Sequence, residues 1–351
     1  MHKLTEKEKI VLHGLIKWPD LNDLELSDKI DVKRPTVTAI RNKFERERVY
    51  ETIRIPAFDK VGCELIGVKY GDFNPLTPYE VRKKYQGWNK FPESVFWIAS
   101  DTGRVGLDVG ENYTEIKRHI DYSERIYGDH GFHTEKGNNY LLFPLKLSKI
   151  FSYLDFAPLL SSIFDLGNNA NTTIDVDFGG TPERFNKNEK LVMYALVKYP
   201  TLKDSEIADK LELTRQSVNN IRKKFEEQKI VRTVRVPDIN KLGLELLVFM
   251  HIRFKTHASL EVRKTEIWEI LKQGSHIIYI AGNLESVIIS AFRNYTDFQR
   301  TYDHIISFYK ENDFVFSEPT VKIFPIKDLR LFVCDRYAPL VKKIFGIEKD
   351  I

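Results

Sequence analysis

Two short stretches concentrate side chains that suit a polyanion. In the first, Lys33, Arg34, Thr36, Thr38, Arg41 and Asn42 lie around an apolar stripe of Val37, Ile40 and Phe44 at helical spacing. In the second, Arg215, Ser217, Asn219, Asn220, Arg222 and Lys223 surround Val218, Ile221 and Phe225 in the same way. Arginine can pair in bidentate fashion with guanine and asparagine with adenine in a major groove. Hydroxyls and amides at a helix start hold phosphates. Arg48 and Lys229 close the two stretches, and Arg54 and Arg235 follow on segments that could reach flanking backbone. No acid interrupts residues 33–44. The partner expected from these residues is double-stranded DNA.

The charge distribution agrees. Lys29–Arg54 carries net +4 and Lys210–Arg235 net +5, so the rest of this +4 chain sums to −5. Such localisation favours a polyanion surface on an acidic body. At 351 residues with 42% hydrophobic content the chain can build several compact domains. No apolar run is long enough to span a bilayer and the start lacks a signal segment, so the expected compartment is cytoplasmic. Cys63 and Cys334 read as buried thiols.

The two stretches are equivalent because the chain repeats itself. Glu8–Val68 aligns without gaps on Glu189–Phe249 with 25 of 61 positions identical. Each copy opens with helical patterns: Ile10 to Ile16, stopped by Pro19, and Leu191 to Val197, stopped by Pro200. A short second helix follows, with Asp23 and Asp204 as expected N-caps. The cationic third helix completes a helix-turn-helix unit, and VYETIRIP or IVRTVRVP alternates as a strand. Next comes the order strand, helix, strand, strand, helix, strand, which is a ferredoxin-like βαββαβ module. Its elements are CELIGVKYGDF, YEVRKKYQGW, SVFWIAS, GRVGLDVG, Tyr113–Tyr127 and NNYLLFPL in copy one. In copy two they are LELLVFMHIRF, EVRKTEIWEILKQ, HIIYIAG, SVIISAF, Tyr295–Asn312 and TVKIFPI. Each copy ends in an apolar, aromatic segment read as helical, KIFSYLDFAPLLSSIF or LRLFVCDRYAPLVKKIF.

The blocks LSDKIDVKRPTVTAIRNKFERERVYETIRIPAFDKVG and IADKLELTRQSVNNIRKKFEEQKIVRTVRVPDINKLG resemble the leucine-responsive/asparagine regulator (Lrp/AsnC) family of transcription factors. The resemblance rests on Phe225-Glu226-Glu227, Ile230-Val231, Asp238, Lys241 and Gly243, with Phe44-Glu45, Val49, Lys60 and Gly62 in copy one. It implies an α+β fold of two winged helix-turn-helix domains and two ferredoxin-like modules in tandem. The expected divisions are 1–56 and 57–165, a linker over 166–184, then 185–237 and 238–351. It also implies a sequence-specific regulator, an intrachain pseudo-dimer formed by the two sheet modules, and room for a small-molecule effector. The terminal helices offer a further contact between two chains. Where the family ends its recognition helix with glycine, this chain has Arg48 and Lys229, which must take a left-handed cap or end the helix otherwise.

His130 and His133 form the one histidine pair with ligand-like spacing, but no third ligand accompanies them, so neither metal nor cofactor is expected. With no phosphate loop and no Gly-x-Ser-x-Gly, the chain reads as a non-enzyme. Two alternatives stand beside the regulator. Siroheme decarboxylases resemble the same regulator fold, and Arg104 and His133 of copy one would serve a carboxylated tetrapyrrole. A protein-interaction adaptor is the other.

Overall fold

The structure is a computed structural model that describes residues 4–85, 91–166, 180–348 and 350–351. The end of the expected helix at Gln86–Trp88 and most of the linker lie outside the described residues. The chain begins with α1 (Glu6–Lys17), α2 (Asp23–Ile30) and α3 (Arg34–Arg46), then β1 (Tyr50–Pro56) and β2 (Leu65–Phe73). It continues through α4 (Tyr79–Tyr85), β3 (Ser94–Ala99), β4 (Gly103–Gly110), α5 (Tyr113–Asp129) and β5 (His133–Pro144). Next come β6 (Lys149–Tyr153) and α6 (Ala157–Phe164), then the three helices α7 (Lys187–Lys198), α8 (Asp204–Leu211) and α9 (Arg215–Glu227). The remainder is β7 (Val231–Pro237), β8 (Leu246–Arg253), α10 (Lys264–Lys272), β9 (His276–Ala281), β10 (Glu285–Phe292), α11 (Tyr295–Glu311), β11 (Thr320–Pro325), β12 (Leu331–Val333) and α12 (Tyr337–Ile344).

The expectation of an α+β fold holds, and both five-stranded sheets are antiparallel. One five-stranded sheet has the order β12-β3-β4-β2-β5 and the other β11-β8-β10-β9-β6. Two strands in these lists were not expected. The terminal segments read as helical each begin with a strand, β6 or β12, before α6 or α12 starts. The reason is an edge: β6 pairs antiparallel with β9 and β12 with β3, so each strand satisfies backbone groups far away in sequence.

The compact units cut across the linear order. One unit combines residues 1–52, 148–177 and 233–327; the other combines 53–147, 178–232 and 328–351. The first therefore holds α1–α3 with the β8–β11 sheet and its added β6. Within it Arg235 donates to Leu15 O at 2.8 Å, and Lys241 donates to Glu47 O at 2.8 Å. The second holds the β2–β5 sheet, α7–α9 and β12–α12. Within it Lys60 donates to Gln228 O at 2.6 Å, and Phe185 packs on Phe225 and Phe345.

Local signals explain the helix ends. Asn22, not Asp23, caps α2, accepting from Leu24 N at 2.9 Å and Glu25 N at 3.1 Å. Asp23 and Asp204 are first-turn residues instead, and their carboxylates turn toward the next helix. Arg48 and Lys229 do take the left-handed conformation, with φ of 50° and 52°. Val49 N then reaches back to Phe44 O at 2.9 Å, and Ile230 N to Phe225 O at 2.7 Å, closing each helix without glycine.

Candidate functional site

The β8–β11 sheet buries an apolar face under its helices. Val248, Met250, Ile252, Ile288 and Tyr279 pack against Ile267 and Ile270 of α10 and Ile305, Ile306 and Tyr309 of α11. The β2–β5 sheet departs from this. Strand register places Lys69 beside Gly106 and Tyr140, Gly67 beside Asp108, and Gly71 beside Arg104 and Asn138. Trp97 lies opposite Gly106 and Ser94 opposite Asp108. Since side chains alternate along a strand, these residues share one face. Glycine is required at 106, where a Cβ would lie 2.9 Å from the Trp97 ring and 3.0 Å from Lys69 Cε.

The inner part of this face is a buried ionic cluster. Lys69 Nζ lies 2.9 Å from Asp108 Oδ2, 3.1 Å from His119 Nε2 and 4.4 Å from the Trp97 ring centroid. Asp108 also accepts from Ser94 Oγ at 2.7 Å and lies 3.0 Å from His119 Nδ1. Burial alone would raise the Asp108 carboxyl, but Lys69 and His119 outweigh it and hold it below the usual range. Burial lowers His119, favouring a neutral ring whose Nε2 accepts from Lys69. Phe91 stacks on that ring at 3.9 Å.

The outer part is built around Arg104. Its guanidinium lies 3.8 Å from the Tyr127 ring and 4.7 Å from the Phe73 ring, two rings 6.2 Å apart and nearly parallel. The guanidinium thus lies against both rings, closest to Tyr127. Nη2 donates to Asn138 Oδ1, whereas Nη1 is buried with no hydrogen-bond partner. Asn138 and Tyr140 both donate to Glu124, and His133 Nε2 lies 3.4 Å from the same carboxylate. Burial and the Arg104 charge push His133 below its usual pKa. A buried guanidinium with one nitrogen lacking a partner fits a carboxylate or another planar oxyanion.

Equivalent positions in the other sheet carry none of this. Met250 stands for Lys69, Ser286 for Arg104, Ser290 for Asp108, Val315 for His133 and Val321 for Tyr140. Arg82 behaves differently, for it is kept as Arg263. Each is fully buried, stacks on Phe73 or Phe254 at 3.9 or 3.5 Å, and donates to a turn carbonyl, Asp101 O or Gly282 O. It ties a helix segment to a hairpin in both halves. Sequence reading found Arg104 and His133 but passed over Lys69, His119, Glu124, Asn138 and Tyr140. The signal was present in the polar-for-apolar exchanges between the halves.

The residues expected to contact DNA divide into two sets. Lys33, Arg34, Asn42, Arg48, Arg215, Asn220, Lys223 and Lys229 are exposed. Thr36 is partly covered at the start of α3, and Ser217 lies 2.8 Å from Thr214 Oγ1 within the cap of α9. Arg41 is held by Asp23 at 2.6 Å, with Thr38 donating to the same carboxylate at 2.6 Å. Arg222 donates to both oxygens of Asp204, at 2.8 and 3.1 Å, and Asn219 donates to it at 2.8 Å. Arg235 is buried beneath Tyr50, and Arg54 lines an open cleft of about 470 Å³ with Lys203, Arg215 and Arg222. His130 turns onto Ile126 O at 3.0 Å, away from any grouping with His133.

No protein-family model matches the chain, and no curated protein does. Among solved structures, the siroheme decarboxylase NirDL is similar with a TM-score of 0.51 and 10% identity, over 97% of this chain and 99% of that one. Its complex with an iron-uroporphyrin III analogue is similar to the same degree, covering 98% of this chain. The AsnC family transcriptional regulator from Agrobacterium tumefaciens has a TM-score of 0.34 and 17% identity over 42% of this chain and 94% of its own. At these identities the likeness is one of fold. The expectation of a non-enzyme is nevertheless overturned, because the fold matched end to end is an enzyme's. Among the described residues no helix is long and apolar enough to cross a membrane.

Proposed function

We propose that this chain is a siroheme-decarboxylase-like enzyme whose site is the polar, helix-side face of the β2–β5 sheet. The observation that carries the reading is Arg104: a 2% exposed guanidinium packed against Phe73 and Tyr127, with a buried Nη1 that has no hydrogen-bond partner and whose charge acts on His133. Arg104 receives a carboxylate of the macrocycle. When the carbon–carbon bond to that carboxylate breaks, CO₂ leaves and the remaining carbon keeps the electron pair and takes a proton. The His133–Glu124–Tyr140 group holds that proton. A bound carboxylate offsets the Arg104 charge, so it raises His133 toward protonation when substrate is present. In this reading the two halves are tandem copies of a helix-turn-helix plus ferredoxin-like unit, and the second sheet serves as scaffold.

Titration with siroheme, followed by visible absorbance, tests the proposal. The native chain should give a saturable spectral change, and Arg104→Ala should weaken it by roughly 10²-fold, the loss of a charged pairing in a buried site. Equal binding by both would refute it.

A second reading, recognition of duplex DNA, is favoured by the exposed cations Lys33, Arg34, Arg215 and Lys223 on α3 and α9. Binding to genomic fragments should fall steeply with salt, and Arg34→Ala with Arg215→Ala should reduce the salt slope. Absence of saturable binding at low salt would remove this reading.

A further inference from the structure

The β3–β4 turn beside the Arg104 site is gripped from the other end of the chain. Arg330 donates through Nη2 to Asp101 Oδ2 at 2.8 Å and through Nε to Oδ1 at 3.1 Å, a bidentate pair. Its backbone N–H also donates to Ala99 O at 2.9 Å, just before β12 joins β3. Asp101 in turn accepts from Arg82 at its carbonyl, 2.8 Å from Nη1, and its carboxylate lies 3.6 Å from Arg82 Nη2. Arg82 packs on Phe73 at 3.9 Å, and Phe73 is one of the two rings that hold Arg104. The contacts therefore run unbroken from Arg330 to the guanidinium that would receive the substrate.

We propose that Arg330 is a positioning residue for the Arg104 site, acting through Asp101, Arg82 and Phe73. The inference rests on the enzymatic reading above. Stability is a poor explanation for the pair, since both side chains are about half exposed and such bridges contribute little. The other sheet has Asn283 at the equivalent turn position, with no charge to offer an incoming strand. The bridge thus accompanies the polar face and not the fold shared by the two sheets.

The test uses the full chain, ¹⁵N-labelled at arginine, as native protein, Arg330→Ala, Arg330→Lys and the near-isosteric Asp101→Asn. The Arg104 Nε–H resonance, assigned with Arg104→Lys, should shift and exchange faster in Arg330→Ala and Asp101→Asn, and return partway in Arg330→Lys. Siroheme affinity should fall about tenfold in the same two variants, as expected for a displaced binding group. An unmoved Arg104 resonance in both variants would overturn the proposal, whatever the affinity. If native protein does not bind siroheme at all, the enzymatic reading fails on its own and the resonance still decides whether Arg330 positions Arg104.

Discussion

Arg41 and Arg222 occupy equivalent positions on the two helices expected to contact bases. Each is held by a carboxylate of its own three-helix group, and those carboxylates, Asp23 and Asp204, recur in both halves as well. Retention in two copies therefore marks a tie between neighbouring helices. Arg222→Ala should cost about 1–2 kcal/mol in urea unfolding, because it leaves a mostly buried Asp204 short of its donors. An unchanged midpoint would show that the tie contributes nothing. His276 makes a second prediction. It is buried, donates from Nε2 to Ile270 O at 2.9 Å and faces Ser290 Oγ at 2.7 Å from Nδ1, and burial lowers its pKa to about 4. A histidine whose folded pKa lies below its unfolded value stabilises the fold above pH 6.5, and that contribution is lost as pH falls toward 4. Native protein should lose about 3 kcal/mol across that window on this account, and His276→Gln should lose less. Parallel pH curves for the two proteins would contradict it.

At the scale of elements, periodicity and capping residues were enough to place most helices and strands, because those signals are local. The strands β6 and β12 were not legible for a physical reason. Their apolar, aromatic residues suit either a buried helix or a strand, and the choice is made by sheet edges far off in sequence. The polar face was half legible: Arg104 and His133 were noticed, but pleat and register bring Lys69, Asp108 and Asn138 beside them, and neither can be read from one strand alone. Ile150 of β6 is 2% exposed, so Ile150→Ala should cost about 2–5 kcal/mol. Amide-exchange protection should fall along β9 and stay unchanged along β3. Equal loss at both strands would argue against a role confined to one edge.

For the whole molecule, each compact unit draws on both halves of the sequence. Chains of residues 1–166 and 180–351, made separately, should each lack cooperative unfolding, and mixing them should restore it. Cooperative unfolding of either piece alone would mean that its sheet closes without the exchanged strand. The grouping also separates genetic address from physical address. A deletion that trims the last residues, mapped on paper to the second half, would strip an edge strand and the Arg330 grip from the first half's sheet. Genetic damage at one end would then be felt as lost chemistry at the other, with the affected residues themselves untouched.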